Sequence, residues 1–268
     1  MSSSTGFEGG LEFDTGVANV ARVYDYLLGG KDNFAADRQL GDQLRAAFPE
    51  AAWIARENRA FVGRAVRFCV EQGLDQFLDV GSGLPTMDNV HDVARRSMPA
   101  ARVVYVDNDS TAIAHANALL ASSDGVTAIP GDAREPGKVL ADAQVHGQLD
   151  PTRPFAVLLA AVLHFITDEQ DPAAIVATFV DAMPSGSYLV LTHAVHDQRP
   201  EDAAKASSMY RSATSPLVTR AKHEVAEFFA GLELVEPGMS HASQWRASSP
   251  PAGGDQPNDL YAGVGRKP

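Results

Sequence analysis

FLDVGSGLPT, residues 77–86, decides how the rest of the chain is read. Apolar and β-favouring residues run into Asp79, Gly81, Ser82 and Gly83, and a helix-like pattern follows from about Pro85 to Met98. A buried strand, a glycine turn and a helix start, in that order, aim backbone N–H groups and the positive end of a helix at a bound anion. Glycine serves there because the chain must turn sharply and approach a ligand with no Cβ in the way. Pro85 suits a first helical turn, where its missing N–H is not required.

Outward from this loop the hydrophobic period alternates. Strand-like runs at about 76–80, 102–107, 126–130, 154–160, 186–194, 232–236 and 258–265 are interleaved with helical patterns at about 86–97, 110–121, 170–183 and 219–230. Parallel strands need long crossovers, so this order predicts an α/β fold with helices on both faces of a mostly parallel sheet. The stretch between Pro237 and Pro257 is rich in turn-formers and lacks helical periodicity. The seventh strand is therefore expected to return beside the sixth in antiparallel fashion. Upstream, residues 1–14 are expected to be disordered and 15–72 to form a helical extension, with the sheet domain over 73–268. In the extension, Asp14 or Thr15 is the expected cap of a first helix, and Gly29-Gly30 its stop.

The loop admits two ligand classes. A dinucleotide fingerprint G-x-G-x-x-G would need glycine at 86, where Thr86 stands. The acid-x-G-x-G-x-G loop that binds S-adenosylmethionine (SAM) is filled by Asp79, Gly81 and Gly83, with Pro85 in place of the last glycine. Asp107, at the end of the second strand beside Asn108, can accept two hydrogen bonds from a ribose diol. The alternative is a helix-capping acid, for which Asp109 and Ser110 are better placed. Asp132, beside Ala133 at the end of the third strand, can accept from an adenine amino group. Tyr24 and Gly30 lie in the extension, where a helix can fold over the methionine end of the donor and an aromatic ring can face its sulfonium. The segment 15–34 is thus expected to be a lid or wall, hinged at Gly29-Gly30. His164, after the fourth strand, is the candidate base for the acceptor. Its competing reading is a histidine packed beside Phe165 and hydrogen-bonded to backbone. His193 and His196 are weaker candidates of the same kind, and the histidine spacing gives no metal constellation.

Composition narrows the classes further. The 268 residues are 45% hydrophobic, enough for one substantial core, and the net charge of -12 opposes attraction to nucleic acid or anionic membrane. The single cysteine, Cys69, fits a reducing compartment and reads as a buried hydrophobe. No leader pattern and no run of roughly 18 apolar residues is present, so a cytoplasmic location is expected.

ARVYDYLLGGKDNFAADR (21–38), FLDVGSGLPT, VVYVDND, GDARE, AAVLHFI and GLELVEPG together resemble the S-adenosyl methyltransferase family once known only as a domain of unknown function. The resemblance runs from about residue 15 onward. It implies a Rossmann-like class I methyltransferase fold, strand order 3-2-1-4-5-7-6 with the last strand antiparallel, and SAM at the carboxyl edge. Carried over by position, it places Asp79, Gly81 and Gly83 in the donor loop, Asp107 at the ribose and Asp132 near adenine, with Ser82, Asn108 and Ala133 beside them. The expected reaction is methyl transfer to a small-molecule acceptor. No N-P-P-Y type motif follows the fourth strand, where Ala160-Ala161-Val162-Leu163 stands, and this with the acidic charge sets nucleic acid aside. Two rival readings are a SAM-binding regulatory or inactive module and an NAD-dependent oxidoreductase.

Overall fold

In the computed structural model, which describes residues 5–8, 11–85, 88–120, 123–145, 147–249 and 259–268, two short strands come first. β1 (Thr5–Glu8) and β2 (Leu11–Asp14) pair antiparallel, where disorder is expected from the sequence. LEFD alternates apolar and acidic residues, a strand pattern that outweighs the polar composition around it. Residues 1–4 and 9–10 of that stretch lie outside the described residues.

Three helices follow, α1 (Val20–Leu28), α2 (Ala35–Ala47) and α3 (Ala51–Glu71). Asn19, and not Asp14 or Thr15, caps α1, its side-chain oxygen accepting from the Ala21 and Arg22 N–H groups. Gly29, at φ 86°, ends the helix in the left-handed conformation that glycine adopts without strain. Helix α3 lays Phe61, Val62, Ala65, Val66 and Cys69 against one face of the sheet.

The sheet itself is built from β3 (Gln76–Val80), β4 (Arg102–Asp107), β5 (Val126–Pro130), β6 (Ala156–Ala160), β7 (Tyr188–Ala194), β8 (Glu233–Leu234), β9 (Ser240–His241) and β10 (Leu260–Arg266). Its order is β5-β4-β3-β6-β7-β10-β8, the first five parallel and β10 antiparallel to both of its neighbours. This is the expected order, with one addition: the short β9 pairs with β10, making eight strands rather than seven. Residues 250–257 of the turn-rich return lie outside the described residues.

Alternate residues of the central strands enter opposite cores, as the period of two requires. Phe77, Val103 and Tyr105 face α3, α4 (Val90–Arg95) and α5 (Ser110–Leu120). Leu78, Val104 and Val106 face α6 (Pro136–Val145), α7 (Pro172–Ala182) and the end of α9 (Lys222–Glu227). Helix α6 and α8 (Pro200–Met209) are absent from the periodicity reading, because each begins at a proline that looks like a breaker. At a first helical position proline costs no hydrogen bond. Pro85, by contrast, starts no helix: α4 begins at Val90, and Asp92 accepts from the Asn89 N–H at 3.1 Å. Thr86 and Met87 lie outside the described residues.

Candidate active site

A cavity of about 460 Å³ opens at the carboxyl ends of β3, β4, β5 and β6. Of the residues singled out from sequence, Tyr24, Asp79, Gly81, Ser82, Gly83, Asp107, Asn108, Asp132 and Ala133 line it. Gly30 and His164 do not.

The loop does not present a ring of free N–H groups, as the helix-start reading predicts. Gly81 and Ser82 donate to the Val106 carbonyl at 2.7 and 3.0 Å, and Gly83 donates to Asp107 Oδ2 at 2.8 Å. The loop is stitched to β4 instead, and what it offers a ligand is close backbone approach. Gly81 is required twice over: its φ is 72°, and a Cβ there would sit 2.4 Å from Val162 Cγ2.

Asp107 is buried, and its other oxygen, Oδ1, accepts from the Asp109 N–H at 2.8 Å. Burial pushes its carboxyl up to about 6, against the lowering effect of those N–H donors. Asp79 is buried on the neighbouring strand, and burial pushes it up to about 7; the charge of Arg59 opposes this and that of Asp107 adds to it. Arg59 lies on α3, lines the same cavity, and its Nε is buried with no hydrogen-bond partner. At the opposite end Asp132 is turned onto Arg134, which holds it through Nε at 2.8 and 2.9 Å. Burial alone would raise the Asp132 carboxyl, but the Arg134 hydrogen bonds outweigh it and the net direction is downward.

The extension supplies a wall. Asn19, Val20, Ala21 and Tyr24 of α1 and its cap line the cavity. The Tyr24 hydroxyl donates to the Ala55 carbonyl and accepts from Asn58 Nδ2, both at 2.9 Å. Asn58 Oδ1 accepts from the Thr192 hydroxyl at 2.8 Å, which in turn accepts from the Ala161 N–H at 2.8 Å. This chain runs from α1 through α3 and β7 to Ala161, a non-glycine residue held at φ 60°. Gly29-Gly30 is a packed turn and not a hinge: the Gly30 N–H donates to the Asp25 carbonyl at 2.9 Å, and a Cβ on Gly30 would fall 1.9 Å from the Asp25 carboxylate. That carboxylate also holds the Asp32 N–H and Asn33 Nδ2 at 3.0 and 2.9 Å. Buried Arg22 donates to Asp37 at 3.0 Å and to Asp109 at 3.4 Å, fastening α1 to α2 and to the start of α5. The density of the 21–38 signature is thus largely a network that fixes the wall.

His164 is buried and packs edge-on against Phe165, with ring centroids 4.6 Å apart. Its Nδ1 accepts from the Ala194 N–H at 3.3 Å. Burial, then the charges of His193 and Arg220, hold it well below the usual imidazole range. A neutral imidazole that accepts at Nδ1 carries its proton on Nε2, so it is a donor and not a base. The packed, backbone-bonded reading is the one the structure shows. His193 is also structural: Nδ1 donates to the Ala194 carbonyl at 2.7 Å and Nε2 accepts from Arg220 at 2.9 Å, while burial pushes it down to about 3. His164 lines a second cavity of about 200 Å³, which shares Val20, Tyr24, Asn58, Ala161 and Phe165 with the first.

Asn58, Arg59, Asn19 and Thr214 line the first cavity and were not anticipated. Asn58 had a signal: it interrupts the apolar stripe of α3 between Ile54, Ala55 and Phe61, Val62, and a polar residue on a buried stripe needs a partner. Nothing local marks the other three.

The profile of the S-adenosyl methyltransferase family matches residues 8–268. A crystal structure of a candidate methyltransferase from Thermobifida fusca YX is 39% identical with a TM-score of 0.87, covering 94% of this chain and 95% of that one. A DUF574 family protein from Streptomyces avermitilis MA-4680 is 37% identical with a TM-score of 0.90, covering 95% and 99%. The N-methyltransferase NodS from Bradyrhizobium japonicum WM9, solved with S-adenosyl-L-homocysteine, is 16% identical with a TM-score of 0.51 over 92% of this chain and 99% of that one, and shares the fold. Among curated proteins no match is found.

Proposed function

The chain belongs to the S-adenosyl methyltransferase family and is a methyltransferase whose donor is SAM, and on that premise we propose that SAM lies in the larger cavity and that the acceptor is a small molecule. Asp107 is the observation that carries the placement. Its two oxygens offer about four acceptor positions; Gly83 and Asp109 each take one, the Asn108 N–H acts on the same carboxylate, and the remaining capacity is left for ribose hydroxyls. The rest of the cavity fits the remainder of the donor. The unpartnered Arg59 Nε and the Asp79 carboxyl stand at one end, suited to the carboxylate and ammonium of the methionine part. Asn108, Asp132 and Ala133 stand at the other, suited to adenine. Tyr24, pinned through its hydroxyl, presents its ring in a fixed orientation to a sulfonium.

SAM supplies an activated methyl group: a nucleophile forms a bond to the methyl carbon as the C–S bond breaks, the electron pair goes to sulfur, and the acceptor releases a proton to water. The chain has to align the reactants and exclude solvent, which contributes up to about 7–11 kcal/mol in well-oriented reactions. Helix α1, held by Arg22 and Asp25, is the wall that does so. A small acceptor is supported by the limited size of the cavities, about 460 and 200 Å³, and by the net charge of -12. No helix among the described residues is long and apolar enough to cross a membrane, and a cytoplasmic location is part of this reading, supported by the lone, buried Cys69.

Transfer of a labelled methyl group from SAM to a panel of small organic acceptors, with nucleic acid and protein as parallel arms, tests the reading. Label on one or more small molecules is expected. Label confined to the macromolecular arms would overturn it.

A further inference from the structure

The second cavity adjoins the first. Tyr24 and Phe165 line both spaces, and residues of α1, α2, α3 and α8 line the second. Its lining is mainly apolar, with Leu27, Leu44, Phe48, Ile54 and Leu217 prominent. At about 200 Å³ it exceeds the roughly 150 Å³ of a cavity that accepts benzene.

Two buried polar groups in this lining lack partners. His164 Nε2 and the Tyr210 hydroxyl make no hydrogen bond among the described residues, and neither is sealed from solvent, so both are open to the cavity their residues line. Both flank one aromatic ring: Phe165 packs edge-on against the His164 ring at 4.6 Å and tilted against the Tyr210 ring at 5.5 Å. Since Nδ1 of His164 is taken by the Ala194 N–H, Nε2 offers a proton and seeks an acceptor atom. The Tyr210 hydroxyl can give or receive. Glu50, Asp202 and Asp259 also line the cavity, and all three are bound to Arg199. Three carboxylates against one guanidinium leave that end negative, so it repels anions.

Resting on the placement of SAM in the larger cavity, we propose that the smaller one is the acceptor site and takes a largely apolar molecule of one or two rings that carries no anionic group, with a hydroxyl bonded to His164 or to Tyr210. Tyr24 and Phe165, which line both spaces, then flank the point at which hydroxyl and methyl meet.

The experiment is calorimetric titration of the full chain, saturated with S-adenosylhomocysteine, with 2-naphthol and 2-naphthoate. The naphthol is expected to bind at least tenfold more tightly than the naphthoate. Of Tyr210→Phe, which removes only the hydroxyl, and His164→Asn, whose amide oxygen can still accept from Ala194, at least one should weaken naphthol binding about twofold to tenfold, the range of one neutral hydrogen bond. Neither should change affinity for S-adenosylhomocysteine. Failure of naphthol to bind, equal or tighter binding of the naphthoate, or unaltered naphthol affinity in both variants overturns the proposal. Failure of wild type to bind S-adenosylhomocysteine would instead overturn the placement of the donor, and this proposal with it.

Discussion

Replacing Asp107 by Asn keeps the shape of the side chain, removes its charge and turns one acceptor oxygen into a donor. In the native loop both oxygens are engaged, one by Gly83 N–H and one by Asp109 N–H, each at 2.8 Å. Whichever way the amide is turned, one of these N–H groups then faces a donor, and one ribose hydroxyl loses its acceptor. A hydrogen bond to a charged group contributes about 1.5–3 kcal/mol. Loss of one therefore weakens SAM binding about tenfold to a hundredfold. Stability moves the other way with pH. Burial lifts the Asp107 carboxyl to about 6 from an ordinary value of 3.8, so its contribution to stability is full below the ordinary value and is lost as pH rises through about 6. Wild type should thus lose stability relative to Asp107→Asn between pH 4 and pH 7, in thermal melts without ligand, while binding SAM more tightly at neutral pH. Titration calorimetry at pH 7.5 with circular dichroism on the same samples gives both readings. A folded Asn variant within about twofold of wild-type affinity would refute the ribose assignment, by the same conversion.

Asp79→Asn should remove a second component of the same sign, flattening the decline in ligand-free stability that wild type shows as pH rises toward about 7, and urea titrations at several pH values measure it. Arg22→Ala leaves Asp37 and Asp109 as buried carboxylates without their cation, and should cost about 3–5 kcal/mol in urea unfolding; a loss under 1 kcal/mol would mean water replaces it. Gly81→Ala should lower the melting temperature through both left-handed strain and overlap with Val162, and adding Val162→Ala should recover only the overlap part. Cys69, buried and pushed up to about 12, should resist a thiol reagent in the native protein and react once unfolded.

The sheet was readable because its parallel strands are buried on both faces and appear as continuous apolar runs; β3, β4 and β5 fall on the residues where the period predicts them. Asp107 and Asp132 were readable because a strand end in such a sheet must lie at the crevice. Direction was harder to read than position. The sequence places His164 after the fourth strand, but does not show that Ala194 claims its Nδ1 or that it lines the smaller cavity and not the larger. Gly30 resembles a hinge in one dimension, and only its contact with Asp25, within the folded turn, shows the backbone to be locked. Arg59 was invisible for another reason: an exposed-looking arginine on a helix acquires its role from Asp79, which is distant in sequence and adjacent in space.

Helix α1 touches both cavities and is bolted through Arg22 to Asp109, whose N–H steadies Asp107. A fixed element of this kind is pre-organised, so neither occupant has to order it on binding, and filling one cavity is expected to leave affinity for the other unchanged. Donor and acceptor can then enter in either order, and the wall imposes a geometry without imposing a sequence of events.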